Sequence, residues 1–359
     1  MENIQVLNGG LKGKCQQLHR ELQALRTRKD GGVDVSLEAH LNDRYNTPIE
    51  KFFAELQIDP SRMTVMQMLE LDQDTRYIVP EIIRAAIRKG FARSPWYPNV
   101  ISRNETVGQP SAVMPCIDLS NAEPQNLGEA ETIAEGSVSY GSKTVKIQKV
   151  GIGITITDEA IRYSSVNLAS IFLEDVGVRL GLKLNRNCVL ALLNGDQEDG
   201  SESAAVIGVD NTSNGLVYKD EVRAHVRGSL LGRQYKTVIA AEDEINHLLN
   251  LTEHKTPYAG AVTMPLAIKT PLPNSEDVFV DPGVPENQHI FVDPAFALVQ
   301  LTSQPLTIEG ERIVMKQISG TVATITTGFA VVFRDGRVVV DDSKAYSSNK
   351  FPSWMDPIS

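Results

Sequence analysis

Lys143-Thr144-Val145-Lys146-Ile147-Gln148-Lys149-Val150-Gly151-Ile152-Gly153-Ile154-Thr155-Ile156-Thr157 alternates polar and apolar residues, but it changes phase halfway. Val138 and Tyr140, then Val145 and Ile147, alternate with polar residues, as in extended arms with one apolar face. At Lys149-Val150 the phase slips by one, and the apolar set continues as Val150, Ile152, Ile154 and Ile156. A one-residue slip turns every later side chain to the other face, so a bulge or a change of sheet is expected there, helped by Gly151. Thr157-Asp158-Glu159 is a helix-start signal. Asn167 to Leu193 then holds helix-compatible residues without a proline and stops at Asn194-Gly195. A ribbon followed by one long helix is a plan for construction, not for catalysis.

At 359 residues the chain is long enough for two or three domains with a buried core. With 42% hydrophobic and 22% charged residues it has an ordinary globular composition. No run is apolar enough for a membrane span. The start Met1-Glu2-Asn3-Ile4-Gln5 lacks a secretory pattern, so a cytoplasmic place of synthesis and action is expected. A net charge of -10 argues against tight sequence-independent nucleic-acid binding, which needs clustered Lys and Arg. Cys15, Cys116 and Cys188 are scattered, which fits a reducing compartment, and Cys188 reads as a packed small hydrophobe.

Outside the ribbon, Leu18, Leu22 and Leu25 share a face of an N-terminal helix that ends by Gly31-Gly32; it either packs on its own subunit or extends as a built-in scaffold. Short helices broken by Pro48 and Pro60 follow. Pro80-Glu81 opens a helix for which Gly90 is the expected cap. Trp96-Tyr97 reads as packing, and Ala130 to Glu135 as the ribbon's outgoing arm. Lys219–Leu231, the buried strand Tyr235–Ala241, the helix Glu242–Leu251 and a short strand at Val278-Phe279-Val280 suggest a compact α/β module. Strands are expected at Ile290–Val292, Pro294–Val299, Arg312–Lys316, Thr321–Thr327 and Gly328–Phe333. Asp335-Gly336 is read as a hairpin turn into Arg337–Val340, and Ser347 to Ser359 as a mobile tail.

The search for chemistry finds little. HExxH, a Gly-x-Ser-x-Gly elbow and a phosphate-cradling loop are absent. Gly151-Ile152-Gly153 lies within a strand and lacks the third glycine of a dinucleotide site. His247 and His254 stand seven apart but do not make a convincing metal pair, and the acidic Asp196–Glu202 supplies only part of a calcium loop. No catalytic, cofactor-binding or metal residue is assigned, no cofactor is expected, and the chain is read as a non-enzyme. Lys143, Lys146 and Lys149 read as solvated or ion-pairing.

The order of ribbon, Gly-x-Gly strand, long helix and Leu192-Leu193-Asn194-Gly195-Asp196 resembles the major capsid proteins of tailed bacteriophages, over roughly Tyr77 to Val340. The resemblance implies an α+β chain with the Hong Kong 97-type fold. It also implies an N-terminal helical extension (1–65), an N-terminal arm (66–115), an extended β-hairpin loop (116–150) and a peripheral domain with a spine helix (151–214). An axial domain (215–296), closing peripheral strands (297–345) and a C-terminal tail (346–359) complete it. The implied function is a structural coat protein that forms hexamers and pentamers of an icosahedral phage head around double-stranded DNA, without sequence-specific contacts to it. Its place would be the virion capsid, assembled in the host cytoplasm, with a portal, scaffold or maturation protease as partners and no membrane. The alternatives are an encapsulin-type compartment shell and an α+β enzyme with an unrecognised site.

Overall fold

The computed structural model describes residues 14–26, 35–56, 58–59, 62–64, 67, 77–108, 111–118, 137–157, 159, 165–196, 202–212, 215–251, 277–313 and 318–356. The chain divides into two units. One takes the residues up to Pro95 with Lys149–Lys183 and Gln304–Thr326; the other takes Trp96–Gln148, Leu184–Ser303 and Thr327–Ser359. Gly31-Gly32, Pro60 and Ala130 to Glu135 lie outside the described residues.

The first unit begins with α1 (Lys14–Arg26), α2 (Leu37–Tyr45) and α3 (Ile49–Glu55). Ser36 starts α2 by accepting from the Ala39 amide through Oγ at 3.1 Å, and Asn46 ends it in the left-handed conformation at φ 47°. Pro48 separates α2 from α3, as expected. Cys15, Leu18 and Leu22 of α1 bury against Leu37, Leu41, Phe52 and Ile78. The helix thus packs on its own chain, one of its two readings.

Helix α4 (Val79–Arg93) carries Pro80 in its first turn, where the missing N–H costs nothing. Gly90 is not its cap, because the helix continues to Arg93. The glycine answers to packing instead. The long helix α5 (Val166–Asn194) crosses α4 so closely that a Cβ at Gly90 would overlap the Glu174 carbonyl. A Cβ at Gly177 would overlap the carbonyl of Ile87 and lie 2.6 Å from the Phe91 amide nitrogen. Ser94 donates its hydroxyl to the Val178 carbonyl at 3.0 Å, and Lys89 pairs with Glu174 at 2.8 Å. The hydroxyl of Ser165 accepts from the Leu168 amide at the start of α5, and Glu159, next to the Thr157-Asp158 start signal, is helical. Gly195 stops the helix at φ +79°, as expected.

The strands are β1 (Ile101–Thr106), β2 (Ser111–Asp118), β3 (Ser137–Lys146), β4 (Gln148–Thr157), β5 (Ala205–Val209), β6 (Thr237–Ala240), β7 (Asp277–Val280), β8 (Gln288–Val292), β9 (Leu298–Ile313), β10 (Ile318–Val331) and β11 (Arg337–Ala345). They form a four-stranded sheet, β1-β9-β10-β4, a five-stranded sheet, β5-β11-β8-β6-β7, and the separate pair β2-β3. The expected change of sheet occurs at Ile147, slightly ahead of the predicted point. Val145 and Ile147 are buried, Gln148 and Lys149 are both exposed, and half-buried positions resume at Val150.

In the second unit, α6 (Tyr218–Leu230) and α7 (Glu242–Asn250) pack on the five-stranded sheet. Ala224, Ile245 and Leu248 meet Val238, Phe291, Val338 and Val340 there. This is the compact α/β module read from Lys219 to Val280, joined by β5 and β11. Three expectations fail in this region. Pro294 to Ala297 is a turn rather than strand, because the Asp293 carboxylate accepts from the Ala295 amide at 3.0 Å and folds the chain back. Asp335-Gly336 does not make a hairpin: a 3₁₀ turn at Arg334–Gly336 carries the chain from β10 in one sheet to β11 in the other. The C-terminal segment through Asp356 is not loose either. Met355 is fully buried in the module core, and Arg223 lies 3.8 Å over the Tyr346 ring.

Arg337, at the start of β11, is wholly buried. It donates from Nε to the Leu192 carbonyl in the last turn of α5 at 2.6 Å, and from Nη2 to the Glu202 carbonyl. A cation suits the carbonyl end of a helix. Burial depresses its pKa to about 10, which still leaves it charged near neutral pH.

Gly177→Ala is expected to cost about 3 kcal/mol or more, since backbone rather than a flexible side chain must move. Thermal unfolding measures this, with the exposed Leu182→Ala as the near-neutral control on the same helix. Arg337→Met is expected to cost at least about 2 kcal/mol by stranding two buried carbonyls, read as a lower denaturant midpoint at unchanged slope.

Candidate assembly surfaces

The ribbon pairs β2 with β3 antiparallel, from Ser111 opposite Lys146 to Asp118 opposite Ser137. Its register shifts between Met114 and Pro115, where β3 inserts Gly141 and Ser142. Proline has no N–H to give a ladder, so a bulge is where a strand tolerates it. Among the described residues neither strand pairs with a third. Such a two-stranded ribbon is marginal alone. Its root is secured: Val145 and Ile147 bury against Val299, Leu301 and Ala330, and Gly328 lets the Lys146 carbonyl approach closely.

Helix α5 presents a second surface. Leu173, Val176, Leu180, Leu184, Cys188 and Leu192 are buried on one side. On the other, Leu168, Ile171, Phe172, Leu182 and Leu190 are exposed, with Ile171 at 61% and Phe172 at 58%. The spacing of Leu168, Ile171 and Phe172 makes them neighbours on one turn. An ion pair one turn further on, Arg179 Nε to Asp175 Oδ2 at 2.7 Å, interrupts the apolar stripe.

Residues singled out from sequence fall as follows. Trp96 and Tyr97 are buried in the second unit, Trp96 stacked on Phe279 at 5.5 Å and Tyr97 edge-on to Phe329, so both pack rather than present a platform for bases. The Asn185 amide oxygen accepts from both of their backbone amides. Cys188 is fully buried, and burial pushes its thiol pKa up, which leaves it a small hydrophobe. Lys146 and Lys149 are exposed; the side chain of Lys143 lies outside the described residues. Of the acidic stretch, Asp196 accepts from the Val331 amide at 2.7 Å, and residues 197–201 are outside the described set.

His254 is also outside it. His247 instead turns toward Asp342, Nδ1 lying 3.4 Å from Oδ2, with Glu244 beside them. Burial, then the neighbouring Glu244 charge, pushes the Asp342 carboxyl up to about 6. No spacing could have shown this group, because Asp342 comes from a strand far along the chain. The only local signal is Glu244 and His247 three apart on one helix face.

No family model matches this sequence, and neither does any curated protein. Solved structures do. A chain of Microbacterium phage Oxtober96 is 11% identical, with 69% of this chain and 91% of that chain covered at a TM-score of 0.51. A virus-like particle from Pyrococcus furiosus is 12% identical, covering 72% and 97% at 0.47, and the capsid of an empty GTA particle is 11% identical, covering 67% and 87% at 0.49. The fold is the α+β Hong Kong 97-type expected from the order of ribbon and helix.

Proposed function

We propose that this chain is a coat subunit of a tailed-phage head, many copies of which form the hexamers and pentamers of an icosahedral shell around double-stranded DNA. One observation carries the reading. A ribbon whose two strands pair with no third among the described residues feeds directly, through Ile147, into the sheet of a Hong Kong 97-type fold. Such a ribbon has unpaired edges that a second copy of the chain can cover. The exposed Ile171–Phe172 turn offers a second contact of the same kind. The extended loop, spine helix and axial module take the roles that their places in the chain suggest, and function is assembly rather than catalysis.

The charge of -10 suits a wall that does not trap its contents. A portal, a scaffold or a maturation protease would set the size and timing of closure, in the host cytoplasm, and the product would reside in the virion. Among the described residues no helix is long and apolar enough to cross a membrane.

Negative-stain electron microscopy with sizing chromatography tests the reading, on the chain alone and co-expressed with scaffold and protease. Rings or closed shells are expected in at least one condition; a monomer in both sinks it. The nucleic-acid content of the particles separates a genome shell from a cargo compartment. The double substitution Ile171→Asp with Phe172→Asp is expected to lower shell yield severalfold while shifting subunit stability by only about 0.5 kcal/mol, as exposed positions do. Equal loss of assembly and of Tm would assign those residues to the fold instead.

A further inference from the structure

Glu244 and His247 lie three residues apart on α7, so both face one way. Across from them stand Asp342 on β11 and His289 on the adjacent β8, paired in register with Val340. Glu244 and His289 are each only 1% exposed. No amide, hydroxyl or cationic donor reaches either carboxylate oxygen of Glu244, to which only a protonated Asp342 carboxyl could donate, and neither ring nitrogen of His289 makes a hydrogen bond. The nearest approach between them, His289 Nδ1 to Glu244 Oε2, is 3.6 Å, too long for one. Buried groups with this much unmet polarity are costly unless something else completes them.

The donor atoms of Glu244, His247 and Asp342 all lie within 4.8 Å of one another. His247 Nδ1 stands 3.4 Å from Asp342 Oδ2 and 3.9 Å from Glu244 Oε1. Ligands about 2.1 Å from a tetrahedral zinc ion are separated by about 3.4 Å, so a small inward rotation of Glu244 completes the triangle. We propose that Glu244, His247 and Asp342 bind a divalent transition-metal ion of the zinc type, with His289 behind Glu244 as the group that orients it. Two carboxylates with one imidazole favour zinc, cobalt or nickel over magnesium and calcium, which take oxygen alone. His289 then donates its Nδ1 proton to the Glu244 oxygen that faces it, the usual outer partner of a metal-bound carboxylate. His247 is half-exposed, which gives the ion a way in and leaves room for a water as the fourth ligand. The ion ties α7 to β11, so its role is to brace the module rather than to catalyse.

The test uses the full chain, stripped with a chelator and dialysed against zinc chloride, magnesium chloride or neither. One zinc per chain by elemental analysis is expected, with Tm rising by about 3 °C or more once zinc exceeds its dissociation constant a hundredfold. Magnesium should give no rise. His247→Ala, at an exposed position that leaves the core untouched, should weaken zinc binding at least about tenfold while keeping the metal-free Tm. Asp342→Asn should do likewise, and cobalt absorption bands should vanish in both. Absence of bound zinc in the wild type, or an undiminished shift in both variants, overturns the proposal. The second outcome would place the ion elsewhere on the chain.

Discussion

The crossing of α4 and α5 constrains the first unit more tightly than any side-chain contact. At Gly90 and Gly177 each helix meets the backbone of the other where a Cβ would stand. Each glycine in a helix interior costs about 0.8–1 kcal/mol against alanine, so the sequence carries roughly 2 kcal/mol of unfavourable propensity at these two positions. The gain is backbone contact along the crossing, closed by the Ser94 hydroxyl on the Val178 carbonyl and by Lys89 on Glu174. Alanine removes the propensity cost but cannot be accommodated, because a carbonyl does not rotate out of the way as a lysine tip does. Gly181 differs, since the nearest atom facing it is the Ser94 side-chain hydroxyl rather than backbone.

The far end of α5 is held by another device. Its last carbonyls would be stranded if no donor reached them, and Arg337 reaches the Leu192 carbonyl from the first position of β11. The short turn at Arg334–Gly336 makes this possible by sending the chain out of one sheet and into the other. Were Arg337 to continue a hairpin with β10, its side chain could not start the five-stranded sheet and cap the helix together. The change of sheet at Ile147 works on the same principle, with two consecutive exposed residues, Gln148 and Lys149, absorbing the change of phase.

These two changes of sheet explain what was legible in sequence. The phase slip after Ile147 shows as a shift in alternation, and it predicted the first change almost to the residue. The second has no such mark: Asp335-Gly336 looks the same whether the next strand returns beside β10 or departs, because strand pairing is decided by partners distant in sequence. Helix lengths were readable for α5 and α6 from composition and end signals. Gly90 was misread as a cap because sequence shows that a residue lacks a Cβ, not which surface requires the lack. The Glu244–His247–Asp342 group was invisible for the related reason that its third member arrives from β11. The tail was judged by its polarity, although Met355 alone is enough to seat it in the core.

On the coat-subunit proposal the chain must stay soluble alone and still associate, which needs weak contacts, and the described surfaces have that character. The exposed turn Leu168–Ile171–Phe172 is apolar enough to favour burial, yet Asp175 and Arg179 break the stripe before it lengthens. Charges placed so limit association without a matched partner, while an exposed ion pair itself contributes little to stability. The ribbon follows the same logic. Its root is packed by Val145 and Ile147, so it need not fold on a partner from nothing, while its strand edges stay unpaired among the described residues. Pre-ordering the root lowers the entropy lost on contact, and the bulge at Gly141-Ser142 twists the ladder away from indiscriminate edge pairing. Contacts built this way are individually weak and become decisive through repetition in a closed assembly.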